Sequence, residues 1–174
     1  VDGGQLHMRR SGGSGRPVLV QHDAASDNNV VRLAAEGFVG KRPVIAFDLP
    51  GNGESDNTIG TNKNAITCAT YASVTRQALA SMGLDSVDYI GTWGSGFTGL
   101  ELAKMQPGLV DHLVLAHVIY HPQSLRQELL VNYTPELEAD WWGGYLLMAW
   151  HLMRDQGLFW PWYNRTREGV LSRE

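Results

Sequence analysis

Short apolar runs alternate with helically spaced apolar residues along the first two thirds of the chain. Four compact runs are typical of buried strands, and one short alternating strand precedes them. The predicted strands are Leu6–Arg10, Pro17–Gln21, Pro43–Phe47, Val87–Ile90 and Leu113–Val118. The intervening spacing predicts helices over 28–37, 71–82 and 99–105. Strands that alternate with helices favour an α/β fold whose sheet is mostly parallel.

The pattern changes after Val118. Residues 121–174 contain no further strand-like run and are rich in Trp, Leu and Met, with five of the six Trp between Trp141 and Trp162. A helix over 145–153 would be apolar almost all round and would need cover on several sides. The sequence therefore predicts a core over 1–120 and a helical cap or lid over 121–174. An ordinary helical layer packed on the sheet is the alternative.

Composition narrows the class of protein. The 174 residues are 43% hydrophobic and 18% charged, with a net charge of -4, which excludes a disordered chain and disfavours nucleic-acid binding. The sequence contains no apolar run of about 18 residues, so no membrane span is predicted. The single cysteine, Cys68, excludes a disulfide framework and a cysteine-cluster metal site, and no metal is predicted. With no leader peptide recognisable, a cytoplasmic location is expected.

Two loops that follow predicted strands carry recognisable motifs. The segment 47–56, Phe-Asp-Leu-Pro-Gly-Asn-Gly-Glu-Ser-Asp, resembles the D-x-P-G-x-G-x-S signature of the α/β-hydrolase superfamily. The segment 18–24 resembles that family's strand and His-Gly loop, which donates one oxyanion-hole amide. Here Asp23 follows His22 where glycine is usual, and a carboxylate there would oppose a developing negative charge. The favoured alternative is that Asp23 points away and stabilises its own turn. The resemblance implies an oxyanion hole formed by the amides of Gly94 and Ala24, with His22 and Asp23 beside the substrate.

A third segment, 87–96, resembles the family's nucleophile elbow, G-x-S-x-G. Counting without a gap places Trp93 in the nucleophile position, flanked by the small residues Gly91 and Ser95, and an indole cannot attack a carbonyl. Ser95 is the nearest serine, and a one-residue shift would bring Thr92 to the nucleophile position. Ser95, Thr92, an attacking water, a non-hydrolytic reaction and no catalysis all stay open.

The same stretch also satisfies G-x-G-x-x-G, from Gly94 to Gly99, directly after a strand. A dinucleotide site would require an acidic residue at the end of the next strand, and 113–118 contains none. No cofactor is therefore predicted.

Four histidines follow the elbow. His112 and His117 lie at or within a strand and are expected to be structural, whereas His121 leaves the loop end of that strand and is the catalytic candidate. His151 lies in the Trp-rich helix, where Trp142 and Trp150 would contribute an apolar wall. Such a wall fits a small hydrophobic or aromatic substrate, and it equally fits a subunit interface.

The resemblance implies a cap-bearing α/β-hydrolase that cleaves a small hydrophobic ester, or a similar bond, through an oxyanion. A non-catalytic binding or assembly module, or a lyase or isomerase on the same scaffold, is the alternative. Members of this family normally continue beyond the cap with strands that bring the acid and the histidine. A fragment, a second chain or a homo-oligomer that completes the fold is therefore expected.

Overall fold

The computed structural model describes residues 1–24, 26–62, 64–132 and 137–158. The chain divides into two compact units, Val1–Ile119 and Tyr120–Glu174. The elements of the first unit are β1 Met8–Ser11, β2 Val18–Gln21, α1 Arg32–Glu36, β3 Val44–Phe47, α2 Cys68–Ser81, β4 Val87–Thr92, α3 Gly94–Met105 and β5 Val110–Ala116. Those of the second are α4 Gln123–Asn132 and α5 Gly144–Leu158.

The five strands form one sheet in the order β1-β3-β2-β4-β5. Strand β1 is antiparallel to β3, and the other pairs are parallel. The predicted α/β class is confirmed as a mostly parallel sheet flanked by helices. The carboxyl ends of β2, β3, β4 and β5 meet at one edge of the sheet, where sites form in open parallel sheets.

Successive residues of a strand point to opposite faces, so strands made of consecutive apolar residues give the sheet two apolar faces. The larger cluster contains residues from three strands and packs with α2 and α3: Leu19, Ile45, Phe47, Ala72, Ala78, Leu79, Val87, Tyr89, Leu102 and Leu109. The smaller cluster covers the other face: Val18, Val20, Val31, Val44 and Ala46. Four consecutive buried residues in β2 and in β3 explain the continuous apolar runs of the sequence.

Three elements begin earlier than predicted, and one of them is α2, which begins at Cys68 rather than at residue 71. Helix α3 begins at Gly94 rather than at residue 99, although its glycines lower helix propensity. Its glycines allow close packing: a Cβ on Gly99 would lie 2.6 Å from Cε1 of the buried Tyr89 ring. Strand β5 begins at Val110 rather than at residue 113, because Val110 and His112 extend the pairing with β4, and Asp111 lies at an irregularity in the register.

The loop after β3 is organised by Asp48, a buried carboxylate. Its Oδ1 accepts a hydrogen bond from the Asn28 amide at 2.7 Å, and its Oδ2 lies 2.7 Å from His7 Nδ1 and 3.1 Å from the Glu54 amide nitrogen. The Ser55 hydroxyl donates to the Asp48 carbonyl at 2.7 Å. The D-x-P-G-x-G-x-S segment is therefore held by its own aspartate and serine.

Opposing effects act on the pKa of Asp48. Burial by itself would raise this pKa, but the hydrogen bonds from His7 and from the amides of Glu54 and Asn28 outweigh burial. The pKa of Asp48 is therefore lowered, and the carboxylate stays charged inside the loop.

Asp140 precedes α5 in the second unit. Its Oδ1 accepts from the Trp142 amide at 2.8 Å and its Oδ2 from the Tyr145 amide at 2.9 Å, an arrangement that satisfies donors at the start of a helix. Several apolar side chains of α5 are exposed: Leu146, Leu147, Met148, Trp150 and Met153. None of the helices in the described part of the chain is long and apolar enough to cross a membrane.

Candidate active site

A sharp turn joins β4 to α3. Strand β4 ends at Thr92 and α3 begins at Gly94, so Trp93 alone forms the turn, with φ 53° and ψ -124°. A positive φ is rare for a bulky residue and indicates local strain. The Trp93 amide donates to the Ala116 carbonyl at 3.1 Å, and its side chain is 55% exposed. The structure thus places an exposed indole at the tip of the elbow.

Ser95 lies inside this turn and is buried. Its hydroxyl accepts a hydrogen bond from the Thr92 amide at 2.7 Å. The carbonyl oxygens of Gln21 and Thr92 lie 2.9 Å and 2.7 Å away as acceptors for its single proton. The hydroxyl therefore joins β2, β4 and α3 from within the elbow, whereas Thr92 is half-buried at the end of β4.

His22 lies on the neighbouring loop after β2 and is fully buried. Its Nε2 accepts from the Leu49 amide at 2.9 Å, so its Nδ1 carries the proton. Nδ1 lies 2.6 Å from the Asp23 carbonyl oxygen and 3.1 Å from the Ser26 hydroxyl. Both ring nitrogens are thus engaged within the protein, and they fix the loop that contains Asp23.

The Asp23 carboxylate lies between the two residues predicted to form the oxyanion hole. Its Oδ1 accepts from the Ala24 amide at 2.9 Å. The same oxygen lies 2.5 Å from the position that a Cβ on Gly94 would occupy. The side chain therefore folds back onto the hole, and its charge opposes a developing oxyanion there.

Cys68 and Tyr71, on the first turn of α2, lie close to this carboxylate. Burial raises the pKa of the Cys68 thiol, a hydrogen bond with Thr98 opposes the change, and the negative charge of Asp23 adds to it. Burial likewise raises the pKa of Tyr71, and Asp23 contributes in the same direction. Both groups are therefore held neutral, which disfavours a reactive thiolate.

His117 is a site residue that the sequence did not identify. It follows β5, has φ 56° and is exposed. Its ring stacks on Trp93, with ring centroids 6.1 Å apart and planes inclined by 23°. Among the described residues, these two are the non-glycine positions with positive φ, and they contact each other. The signal available in the sequence was the position of His117 at the carboxyl end of a parallel strand.

Each glycine of the G-x-G-x-x-G match lies close to another residue of the same chain. Gly94 approaches Asp23, and Gly99 approaches Tyr89. A Cβ on Gly96 would collide with the Val118 side chain. Close packing within this unit thus accounts for the three glycines.

The remaining predicted site residues lie in the second unit. His121 is half-buried and precedes α4, and His151 is half-buried within α5. Trp142 and Trp150 are exposed. Residues 133–136 and 159–174 of the predicted cap, including Trp160 and Trp162, lie outside the described residues.

A group of possible metal ligands lies at the opposite edge of the sheet. His112 Nδ1 is 2.9 Å from an Asp88 oxygen and 2.8 Å from an Asp111 oxygen, where β4 and β5 begin. Arg16 forms ion pairs with both carboxylates, and Arg42 pairs with Asp88 at 2.6 Å. These cations already neutralise the acidic groups, so the cluster fits an ion-pair network better than a metal site.

Comparison with known proteins identifies the class. No protein-family model matches the chain. The esterase Rv0045c of Mycobacterium tuberculosis is 30% identical over 149 residues, which are 85% of this chain and 45% of the esterase. The N-acyl homoserine lactonase AidH is 28% identical with a TM-score of 0.57, over 63% of this chain and 40% of the lactonase. An esterase from Thermogutta terrifontis shares the fold, at 22% identity and a TM-score of 0.63, over 74% of this chain and 46% of that chain.

The sheet order, the elbow and these relatives define a protein with the α/β-hydrolase fold. The chain belongs to the α/β-hydrolase superfamily, as its three motifs predicted. It spans less than half the length of each of the relatives described above.

Proposed function

We propose that the protein is a hydrolase that acts on a small hydrophobic or aromatic substrate, at an ester or a similar acyl bond. The elbow carries this proposal, because Trp93 with φ 53° separates β4 from α3 and places the start of α3 directly after the tip. Amides at the start of a helix favour negative charge, which develops on the carbonyl oxygen during acyl transfer. Similarity to an esterase and a lactonase supports the same reaction class.

We further propose that water, rather than an elbow side chain, attacks the substrate. The indole of Trp93 cannot act as a nucleophile. Ser95 is buried with its hydroxyl bonded inside the turn, which favours a structural role over the predicted nucleophilic one. A catalytic role for Thr92 or His121, and substrate contacts by Trp142, Trp150 and His151, remain predictions.

A fluorophosphonate probe separates these routes. If water attacks, we expect the full chain to hydrolyse 4-nitrophenyl butyrate without becoming labelled. Replacing Ser95 with alanine should lower the free energy of unfolding by about 1–3 kcal/mol, because the Thr92 amide and Gln21 carbonyl lose a buried partner. Ser14→Ala, at an exposed serine, is the matched control.

Labelling of Ser95 or Thr92 would overturn the water route. Absence of hydrolysis toward short esters by the folded protein, assayed together with any polypeptide that covers β5, would overturn the hydrolase proposal itself. A non-catalytic or non-hydrolytic binding module is the second candidate, and the Asp23 carboxylate on the Ala24 amide favours it. That module would retain its ligand after both Ser95→Ala and Thr92→Ala.

We also propose that further polypeptide covers the outer edge of β5. In the part of the chain that the structure describes, β5 pairs with β4 on one side, and Val114 and Leu115 are 50% and 42% exposed. Exposed apolar edge strands favour pairing with another segment. Such a segment could come from a longer chain or from a second subunit. Its presence would agree with the length of the relatives, which are more than twice as long as the region that matches this chain.

Intact mass spectrometry combined with light scattering tests this cover. We expect the purified protein to contain a larger polypeptide, a second chain or a homo-oligomer. A monodisperse 19.2 kDa monomer that does not bind the dye ANS would contradict the proposal.

A further inference from the structure

We propose that the elbow site binds a small organic cation, held by the Asp23 carboxylate and the exposed face of the Trp93 indole. This deepens the proposed function by assigning a positive charge to the substrate. Only the turnover experiment rests on the proposed function, because the cation can bind without any reaction.

The first support is the position of the carboxylate. Asp23 is partly exposed, lies on the Ala24 amide and packs against Gly94, the residue that directly follows Trp93. Carboxylate and indole therefore belong to the same surface at the carboxyl edge of the sheet. Both are accessible to a ligand that approaches the tip of the elbow.

The second support is the uncompensated charge. Among the residues that the structure describes, no Lys or Arg forms an ion pair with Asp23. Its charge adds to the effect of burial in raising the pKa of Cys68 and Tyr71, so the local potential is negative. A cationic ligand gains attraction from this potential, and a neutral ligand of the same shape does not.

The third support is the aromatic surface. Trp93 and His117 share unusual positive φ values and stack on each other, so the indole is fixed in place by its neighbour. Strained residues persist where the surrounding structure enforces them, and they concentrate at ligand sites. The face of an indole attracts cations, including quaternary ammonium groups, through its quadrupole.

A different role for Asp23 leads to the opposite results. If the carboxylate merely fills the oxyanion hole as an internal anion, removing its charge would accelerate hydrolysis of neutral esters and no cation would bind. The two roles therefore separate in a single variant, Asp23→Asn, which keeps the size of the side chain.

Calorimetric titration of the full chain with choline and with its neutral isostere 3,3-dimethylbutan-1-ol tests the cation site. We expect choline to bind about tenfold more tightly at low salt, with the preference reduced at high salt. Asp23→Asn should bring the ratio to about one, and Trp93→Leu should weaken choline binding about fivefold. Asp85→Asn, at an exposed aspartate, should leave both affinities unchanged. Thermal unfolding midpoints verify that each variant is folded.

Equal affinity for the two compounds, undetectable choline binding, or an unchanged preference in folded Asp23→Asn would each overturn the cation site. Turnover is compared with butyrylthiocholine and 3,3-dimethylbutyl thiobutyrate, for which we expect a higher kcat/KM with the cation. If neither thioester is cleaved while choline binding depends on Asp23, thioester hydrolysis fails and the cation site stands.

Discussion

Replacing Gly91 with alanine is expected to disrupt the elbow and to lower the free energy of unfolding by about 3–4 kcal/mol. A Cβ on this residue would lie 2.7 Å from both the Gly96 nitrogen and the Ser95 carbonyl oxygen. Both are backbone atoms of the first turn of α3, so no side-chain rotation can relieve the contact. Either β4 or α3 must move, and the Ser95 hydroxyl would then lose its bonds to β2 and β4.

Guanidinium chloride unfolding, followed by circular dichroism, measures this effect. Gly12→Ala is the matched control, because a Cβ there meets nothing within 4 Å. We expect the control to shift stability by less than about 0.5 kcal/mol. Similar unfolding midpoints for the two variants would show that the turn has room for a methyl group at residue 91.

The requirement at Gly91 explains why much of the fold was predictable. Steric limits at an elbow act between residues a few positions apart. Counting from Gly91 without a gap is therefore one of the registers that the sequence predicts, and the structure has a positive φ at Trp93. Strands β2 and β3 are buried on both faces, so their apolar runs can be recognised without knowing which strands they pair with. The periodic apolar pattern was therefore sufficient to predict the α/β class, and the local motifs were sufficient to show the family resemblance.

The polar arrangement of the site was not predictable in the same way. Ser95 meets Gln21, 74 positions earlier, and the sequence shows neither that contact nor the direction of the hydroxyl. The acid at Asp23 is visible in the sequence, but the sequence does not show that its Oδ1 both accepts from the Ala24 amide and lies against Gly94. The position of His117 at the end of a predicted strand indicates a structural residue, and the sequence does not show its stacking with Trp93, which lies on a different loop.

The loop after β3 depends on one buried carboxylate, and Asp48→Ala is expected to lower the free energy of unfolding by about 3–5 kcal/mol. The substitution leaves the Asn28 amide, the Glu54 amide and His7 Nδ1 without their acceptor. Denaturant unfolding measures the loss, and Asp85→Ala, at an exposed aspartate, is the control. The free energy of unfolding of Asp48→Asn should lie between those of Asp48→Ala and Asp85→Ala, because an amide retains one accepting oxygen.

The dependence of this effect on pH identifies its electrostatic part. The pKa of Asp48 is lowered from 3.8 in the folded chain, so its contribution to stability is complete above that value. The contribution is lost as the pH falls through the lower folded pKa, because the unfolded chain then binds the proton more readily. The difference in stability between the wild type and Asp48→Asn should therefore be constant near neutral pH and shrink below about pH 4. A difference that stays constant on acidification would assign the effect of Asp48 to packing and hydrogen-bond geometry rather than to its charge.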